Sequence, residues 1–172
     1  SSIPFNKVLD LMNEEKLVSL SSNKVLVFNL GFNKKGQDNI HWCYYPENEF
    51  CFYRIGYYDN IANTDRMSLY VEIGLKSDCK VEVEEYKSQV LRDLKKTKVI
   101  LDHELISSHS IVLNPAYVHI TKESNSFYEQ MSEKWSKLGM YSAGRYGAWK
   151  YCSIEDNIIE AKELANQFTN QI

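Results

Sequence analysis

Neither of the common phosphate-cradling patterns, GxGxxG or GxxxxGK[ST], occurs anywhere in the sequence. A dinucleotide held in the usual way on a glycine-rich loop is therefore excluded for this chain by itself. The four cysteines, Cys43, Cys51, Cys79 and Cys152, form no CxxC pair, and His41, His103, His109 and His119 do not fall beside them at zinc-ligand intervals. That spacing argues against a metal site. No apolar run approaches the ~20 residues of a membrane span, and no signal peptide is recognised, which gives a reduced cytoplasmic protein as the expectation. An excess of one charge is missing too: 20 basic residues stand against 23 acidic, a net of −3. Without a local patch, no field is available to hold nucleic acid or an anionic membrane, so any binding must be local. Glycine and proline are sparse, at seven and three. Tyrosine is plentiful, at twelve, and it offers a flat apolar face with a polar tip, suited to ring-bearing ligands or to a tyrosine-rich sheet.

A chain of 172 residues fits one domain with a real core. "SSIPFNKVLDLM" places Phe5, Val8, Leu9 and Met12 at helical spacing after a proline tolerated in a first turn. "KVLVFNLGF" (24–32) is a buried-strand run, and 39–45 with 50–58 flank Pro46-Glu47-Asn48 as a hairpin. Residues 68–75 alternate as a strand with one buried side. Val83, Tyr86, Val90 and Leu94 then form a helical stripe ending in Lys95-Lys96, favourable at a helix C-terminus. Strand character returns over 104–120, broken at Asn114-Pro115. Tyr128, Met131, Trp135 and Leu138 mark another helix before Gly139, and a last helix starts near 154 with Ile154, Ile158, Ala161, Ala165 and Phe168 inward. This order gives an α+β domain, a mainly antiparallel sheet of about five to six strands with helices packed on it.

The stretch "AGRYGAWKYCSIEDNI" (143–158) concentrates two of the scarce glycines and one of three tryptophans. "MYSA" (140–143) reads as a short buried strand that Gly144 ends, and Ser153 with Asp156 three positions on resembles a capping box. The order strand, loop, helix N-terminus puts the backbone N–H groups of Ile154 and Glu155 at the positive end of a helix dipole. Gly144 and Gly147 permit a close approach by another molecule or backbone, and Arg145 offers a planar fork of donors. The same residues also fit ordinary turn glycines, a core Trp149 and Tyr151, and a solvated Arg145.

"GRYGAWKYCSIEDNI" resembles the C-terminal flavin-contacting motif of the UDP-galactopyranose mutases and of the amine-oxidase and protoporphyrinogen-oxidase-like FAD proteins, where Gly-Arg, a short turn, aromatic-Lys-Tyr and a Met-x-x-Ile-like helix start recur. "SSIPFNKVL" is similar to the segment leaving the family's FAD-binding domain, "NLGFNKKGQDNIHWCYYPENEFCFYRIGYY" to its substrate-domain hairpin, and "NPAYVHI" to a later strand. The resemblance spans nearly the whole chain. It implies the C-terminal part of a longer enzyme, with 1–20 and 140–172 abutting a missing FAD-binding domain and 21–139 forming the substrate domain. The strand, loop and helix at the C-terminus would close the flavin site. It further implies Gly144, Arg145, Ser153, Ile154 and Glu155 at the cofactor, and Arg145, Trp149, Lys150 and Tyr151 toward a nucleotide-sugar or other small substrate. FAD would be the cofactor of the full-length enzyme and would not be retained by this chain alone. Cell-surface polysaccharide (lipopolysaccharide) biosynthesis is the setting it suggests. Ala148 replaces a frequent Glu, Ile154 a usual Met and Trp149 the mutases' Tyr, which favours the broader oxidoreductase-like branch.

Two further residues are candidates for the substrate side. Arg54, mid-strand among aromatics, either faces a cleft or stacks on tyrosines at the sheet surface, the surface being favoured. Tyr117 lines a cleft or fills the core. No Ser/His/Asp or Cys/His triad is assembled, and Glu84-Glu85 falls on a solvated helix face. A free-standing, non-catalytic binding module with a Tyr-lined cleft is the alternative function. The resemblance also implies that the face abutting the missing FAD-binding domain is exposed and apolar in this chain, and self-association through that face is expected.

Overall fold

The structure is a computed structural model that describes residues 1–169. The chain divides into two compact units, one of residues 1–22 with 117–172 and one of residues 23–116.

The second unit carries the sheet. Its strands are β1 (Asn23–Phe32), β2 (Trp42–Tyr44), β3 (Arg54–Tyr57), β4 (Ser68–Lys76) and β5 (Leu105–Leu113), in the spatial order β2-β3-β4-β1-β5 with every pairing antiparallel. The long central pair runs from Asn23 opposite Lys76 to Gly31 opposite Ser68. Alternation along it sets the two faces. One face buries Leu26, Phe28, Leu30, Ile55, Leu69, Val71 and Ile73 in a core completed by Val90 and Leu94. Those last two come from helix α3 (Val83–Lys96), whose stripe has the spacing expected from sequence. The other face presents Tyr44, Arg54 and Glu72 in one cross-strand row and Trp42, Gly56 and Tyr70 in the next. A short helix, α2 (Tyr58–Ala62), follows β3 and buries Asp59, whose carboxylate meets Lys35 Nζ at 2.8 Å and accepts the Ser68 N–H at 3.2 Å.

The first unit is helical. Helix α1 (Phe5–Leu11) buries Phe5, Val8 and Leu9, and α4 (Lys122–Ser136) buries Phe127, Met131 and Trp135. These side chains and Trp149 form one apolar cluster. A capping box at Thr121 and Ser124 starts α4, with Ser124 N–H donating to Thr121 Oγ1 at 3.0 Å and Thr121 N–H to Ser124 Oγ at 2.9 Å. Gly139 follows α4 at φ +76, a left-handed position that favours glycine.

Two expectations change here. The segment 140–143 is not a sheet strand: its partner is the chain's own start, with Ala143 N–H donating to Ser1 O at 2.9 Å. After it comes a turn of helix, α5 (Gly144–Gly147), instead of an open loop. Helix α4 belongs to the helical unit, where it packs with α1 through Phe5 and Phe127.

Candidate functional site

Helix α5 and the start of α6 (Ile154–Thr169) border a cleft of about 450 Å³ lined by Ser2, Gly144, Arg145, Cys152, Ile154 and Asn157, among others. Both glycines of the stretch 143–158 have a steric reason. Gly144 sits at φ +81, and a Cβ there would lie 2.9 Å from Asn157 Oδ1. At Gly147 a Cβ would lie 2.8 Å from Ser1 O and 3.3 Å from Ser2 Cα, so this glycine admits the N-terminal backbone and not a ligand.

The start of α6 is capped as the sequence indicates. Asp156 N–H donates to Ser153 Oγ at 3.1 Å, and Asp156 Oδ2 accepts from Ser153 N–H at 2.7 Å and from its hydroxyl at 2.8 Å. The first-turn N–H groups of Ile154 and Glu155 have no acceptor within the helix and face its N-terminal end. The Ser153 backbone N–H, then its hydroxyl, hold the Asp156 carboxyl below its ordinary value. A depressed folded-state value means that the cap's contribution is present above the ordinary carboxylate range and is lost as pH falls through the folded value. Helicity of the chain is therefore expected to decline as pH falls from 5 toward 2, with a smaller change in that window for Asp156→Asn, read by circular dichroism. Identical curves for the two proteins would remove Asp156 from the cap.

Arg145 is half-buried and held in place. Its Nη2 donates to Cys152 O at 2.7 Å, and its guanidinium carbon lies 5.7 Å from the Tyr117 ring centroid and 5.1 Å from that of Tyr151. Tyr151 is 77% exposed. Lys150 Nζ donates to Glu160 Oε1 at 2.8 Å, and that bond raises the Lys150 pKa above the ordinary lysine value. The other oxygen of Glu160 accepts the Gly144 N–H at 2.8 Å. Glu160 thus ties α5, Lys150 and α6 together. Sequence reasoning passed over it, although Asn157, Glu160 and Leu164 at helical spacing mark the face of α6 that meets its own unit.

Trp149 does not line the cleft. It is 1% exposed, at φ +49, and its Nε1 donates to His119 O at 3.3 Å, which makes it a core residue instead of a substrate contact. The last helix also turns the other way from expectation: no residue of α6 is buried, and Ile154 and Ile158 are exposed. Only Phe168 of the expected stripe makes a ring contact, with Tyr141 at 4.9 Å. Gly144, Arg145 and Ile154 line this cleft, while Ser153, at the cap of α6, and Glu155, in its first turn, are neighbours of Ile154 in sequence and are not among its lining residues.

In the sheet unit, Arg54 lies across the open face. Nη2 donates to Glu72 Oε1 at 2.5 Å and Nη1 to Tyr44 Oη at 3.3 Å, and the rings of Tyr44, Tyr53 and Tyr70 surround the guanidinium at 5.7 to 5.9 Å. Tyr53 donates to the second oxygen of Glu72. Among the described residues there is no group of three or more His, Cys, Asp or Glu able to hold a metal, and no helix is long and apolar enough to cross a membrane.

No protein-family model matches the sequence, and no curated protein does either. Solved structures do match. A reduced UDP-galactopyranose mutase superposes with a TM-score of 0.77 at 19% identity, covering 88% of this chain and 36% of the mutase. A protein named as a protoporphyrinogen oxidase, from Exiguobacterium sp. 255-15, superposes with a TM-score of 0.76 at 16% identity, covering 99% of this chain and 40% of the other. The chain therefore has the fold of a segment of these proteins, the two kinds indicated by the motif at 144–158, and spans well under half of their length.

Proposed function

We propose that this chain is the substrate-binding part of a flavin-dependent enzyme of the mutase or oxidase kind, and that the cleft beside α5 receives the edge of the flavin ring. The observation that carries the reading is the convergence of the Arg145 guanidinium and the N-terminus of α6 on one cleft, in a fold shared with both kinds of protein. The donor set fits a flavin's carbonyl-bearing edge: a fixed cation, the unpaired first-turn N–H groups of Ile154 and Glu155, and no side chain at Gly144. Nothing in the sequence supplies the glycine-rich loop for the pyrophosphate and adenine, so FAD would need a further domain.

When bound, the flavin supplies the redox or nucleophilic chemistry, and the protein positions and polarises. Arg145 would orient the ring edge, while the Tyr117 and Tyr151 rings beside its guanidinium and the bond to Cys152 O hold the planar fork in place. Lys150, paired with Glu160, acts as a strut more than as a free charge for a substrate phosphate. On the sheet unit, Arg54 with the exposed rings of Trp42 and Tyr44 forms a wall suited to a ring-bearing substrate such as a nucleotide sugar. Assembly of a cell-surface polysaccharide, in the reducing cytoplasm, is the setting proposed.

The test is a titration of flavin mononucleotide into the ¹⁵N-labelled chain, to several millimolar. Amide resonances of Gly144, Arg145, Ile154 and Glu155 should shift, and the chain as purified should show no stoichiometric flavin absorption. Unchanged resonances at these four residues, or shifts confined to other segments, would overturn the assignment of the cleft.

A further inference from the structure

Two glycines let tyrosine rings lie on the open face of the sheet. A Cβ at Gly56 would fall 1.8 Å from Tyr70 Cε1, so the Tyr70 ring occupies the space over Gly56, the residue that stands between it and Trp42 in the cross-strand row. Gly56 is small so that this ring can lie there. At Gly74 a Cβ would meet the Tyr53 ring at 3.7 Å, and Tyr58 packs on Tyr70 with 5.1 Å between centroids. Aromatic surface thus reaches from β4 across β3 to β2, where Trp42 and Tyr44 are each 58% exposed. Beyond β4 the same rows continue into Val27 and Asn29, which are uncharged.

The charge at the centre of this face cancels. Arg54 Nη2 donates to Glu72 Oε1 at 2.5 Å, Arg54 Nη1 donates to Tyr44 Oη at 3.3 Å, and the second oxygen of Glu72 accepts from Tyr53. Both terminal nitrogens of the guanidinium are therefore engaged within the face itself, and the rings of Tyr44, Tyr53 and Tyr70 stand around its carbon at 5.7 to 5.9 Å. Glu72 is 9% exposed, so water screens the pair little. A phosphate is bound by an arginine through net positive charge and an open pair of donors, and a carboxylate already sits on that fork. An uncharged planar ring needs neither. It stacks on the exposed indole and phenol without competing with Glu72 for the guanidinium.

We propose that this face takes an uncharged planar ring of the substrate, of the nucleobase kind, and not its phosphates, and that Glu72 sets the preference by cancelling the charge of Arg54. The inference rests on the reading that the sheet unit meets the substrate, and it is independent of where the flavin lies. Glu72 is then a specificity-determining residue that acts through Arg54.

The experiment compares uridine with uridine diphosphate, which share one ring and differ only in the diphosphate. Each is titrated to about 20 mM into the ¹⁵N-labelled whole chain at constant ionic strength and about pH 7.5, above the ordinary histidine range so that His109 on β5 stays neutral. The Trp42 indole and the amides of Tyr44 and Arg54 should shift along saturating curves, with dissociation constants for the two ligands within about threefold of each other. Glu72→Gln keeps the size of the side chain and removes its charge. It should leave uridine binding unchanged and tighten uridine diphosphate about five- to tenfold. The double variant Arg54→Gln/Glu72→Gln is neutral again and should return the two ligands to within about threefold, which separates an effect of charge from one of altered packing. Circular dichroism checks that each variant is folded, and the comparison on the unmodified chain stands without any variant. A clear preference of the unmodified chain for the diphosphate would overturn the proposal while leaving the substrate on this face. No shift at Trp42, Tyr44 or Arg54 with either ligand would overturn both, whatever the flavin titration shows at Gly144, Arg145, Ile154 and Glu155. A folded Glu72→Gln chain that treats the two ligands alike would remove Glu72 from the choice.

Discussion

Trp135→Ala is expected to lower the thermal unfolding midpoint by about 10 °C, the largest stability effect of any single substitution considered for the helical unit. Trp135 is fully buried, and its ring lies edge-on to Phe5 at 5.7 Å. Phe5 in turn contacts Phe127 at 5.6 Å and Tyr128 at 5.3 Å, so the indole is the wall against which α1 and α4 are packed. Its Nε1 donates to Glu14 Oε1 at 3.5 Å, while Lys134 holds the other oxygen at 2.8 Å and draws the Glu14 pKa down. Truncation removes the apolar contacts and leaves a cavity, together about 3–5 kcal/mol for a buried tryptophan. The buried cluster has seven members, too few to repack around the loss of the largest. Trp135→Phe keeps a ring and loses the long indole bond, and should recover more than half of the shift. A change below about 3 °C for the alanine variant, by circular dichroism, would show that the cluster does not hold α1 to α4.

Trp135 was also among the residues most legible in the sequence, because Tyr128, Met131 and Trp135 repeat at helical spacing and the observed α4 buries Met131 and Trp135. The same holds for α3 and for the alternation of β4, where periodicity and burial agree. Legibility failed where a segment's partner lies far away in sequence. "MYSA" has the composition of a buried strand, yet Tyr141 O and Ala143 N–H pair with Ser1, at the other end of the sequence, a pairing no local pattern encodes. The hairpin between residues 39 and 58 is present, but β2 has three residues, and the chain between β2 and β3 closes through Tyr45 N–H to Tyr53 O at 2.9 Å. Helix α6 misled by its own regularity. An apolar stripe states only that one face is apolar, not that it faces inward, and here Asn157 and Glu160 anchor the helix through polar contacts instead. Resemblance points Trp149 toward a substrate, whereas in this chain its side chain is buried in the core, with its backbone at φ +49.

The Arg145 series has two expected readings that separate structure from chemistry. From sequence, a residue following a glycine at a strand end should leave the core, and its loss should hardly affect stability. The structure corrects that expectation: the segment before Gly144 is not a sheet strand, and the side chain is half-buried, bonded to Cys152 O at 2.7 Å and flanked by Tyr117 and Tyr151. A hydrogen bond to a charged donor contributes about 1.5–3 kcal/mol, and each exposed cation–π contact about 0.5–1 kcal/mol more. Solvent at the exposed Tyr151 side reduces this, so Arg145→Ala should destabilise the chain by about 2 kcal/mol, a midpoint shift of about 4–8 °C. Arg145→Lys keeps the charge but neither the planar fork nor the stacking surface, and should restore less than half. The second reading concerns a flavin-bearing protein that contains this segment. There, if Arg145 orients the ring edge, Arg145→Ala should reduce activity or flavin affinity per folded molecule by up to about a hundredfold, because a charged hydrogen bond of that strength is lost at the reacting site. Measured at a temperature where every variant is folded, the activity loss must exceed what the unfolded fraction explains. Destabilisation with full activity per folded molecule would make Arg145 a strut between α5 and Cys152 and end its assignment to the flavin. Loss of activity with an unchanged midpoint would mean that the bond to Cys152 and the two ring contacts contribute nothing to stability, contrary to the geometry of the site.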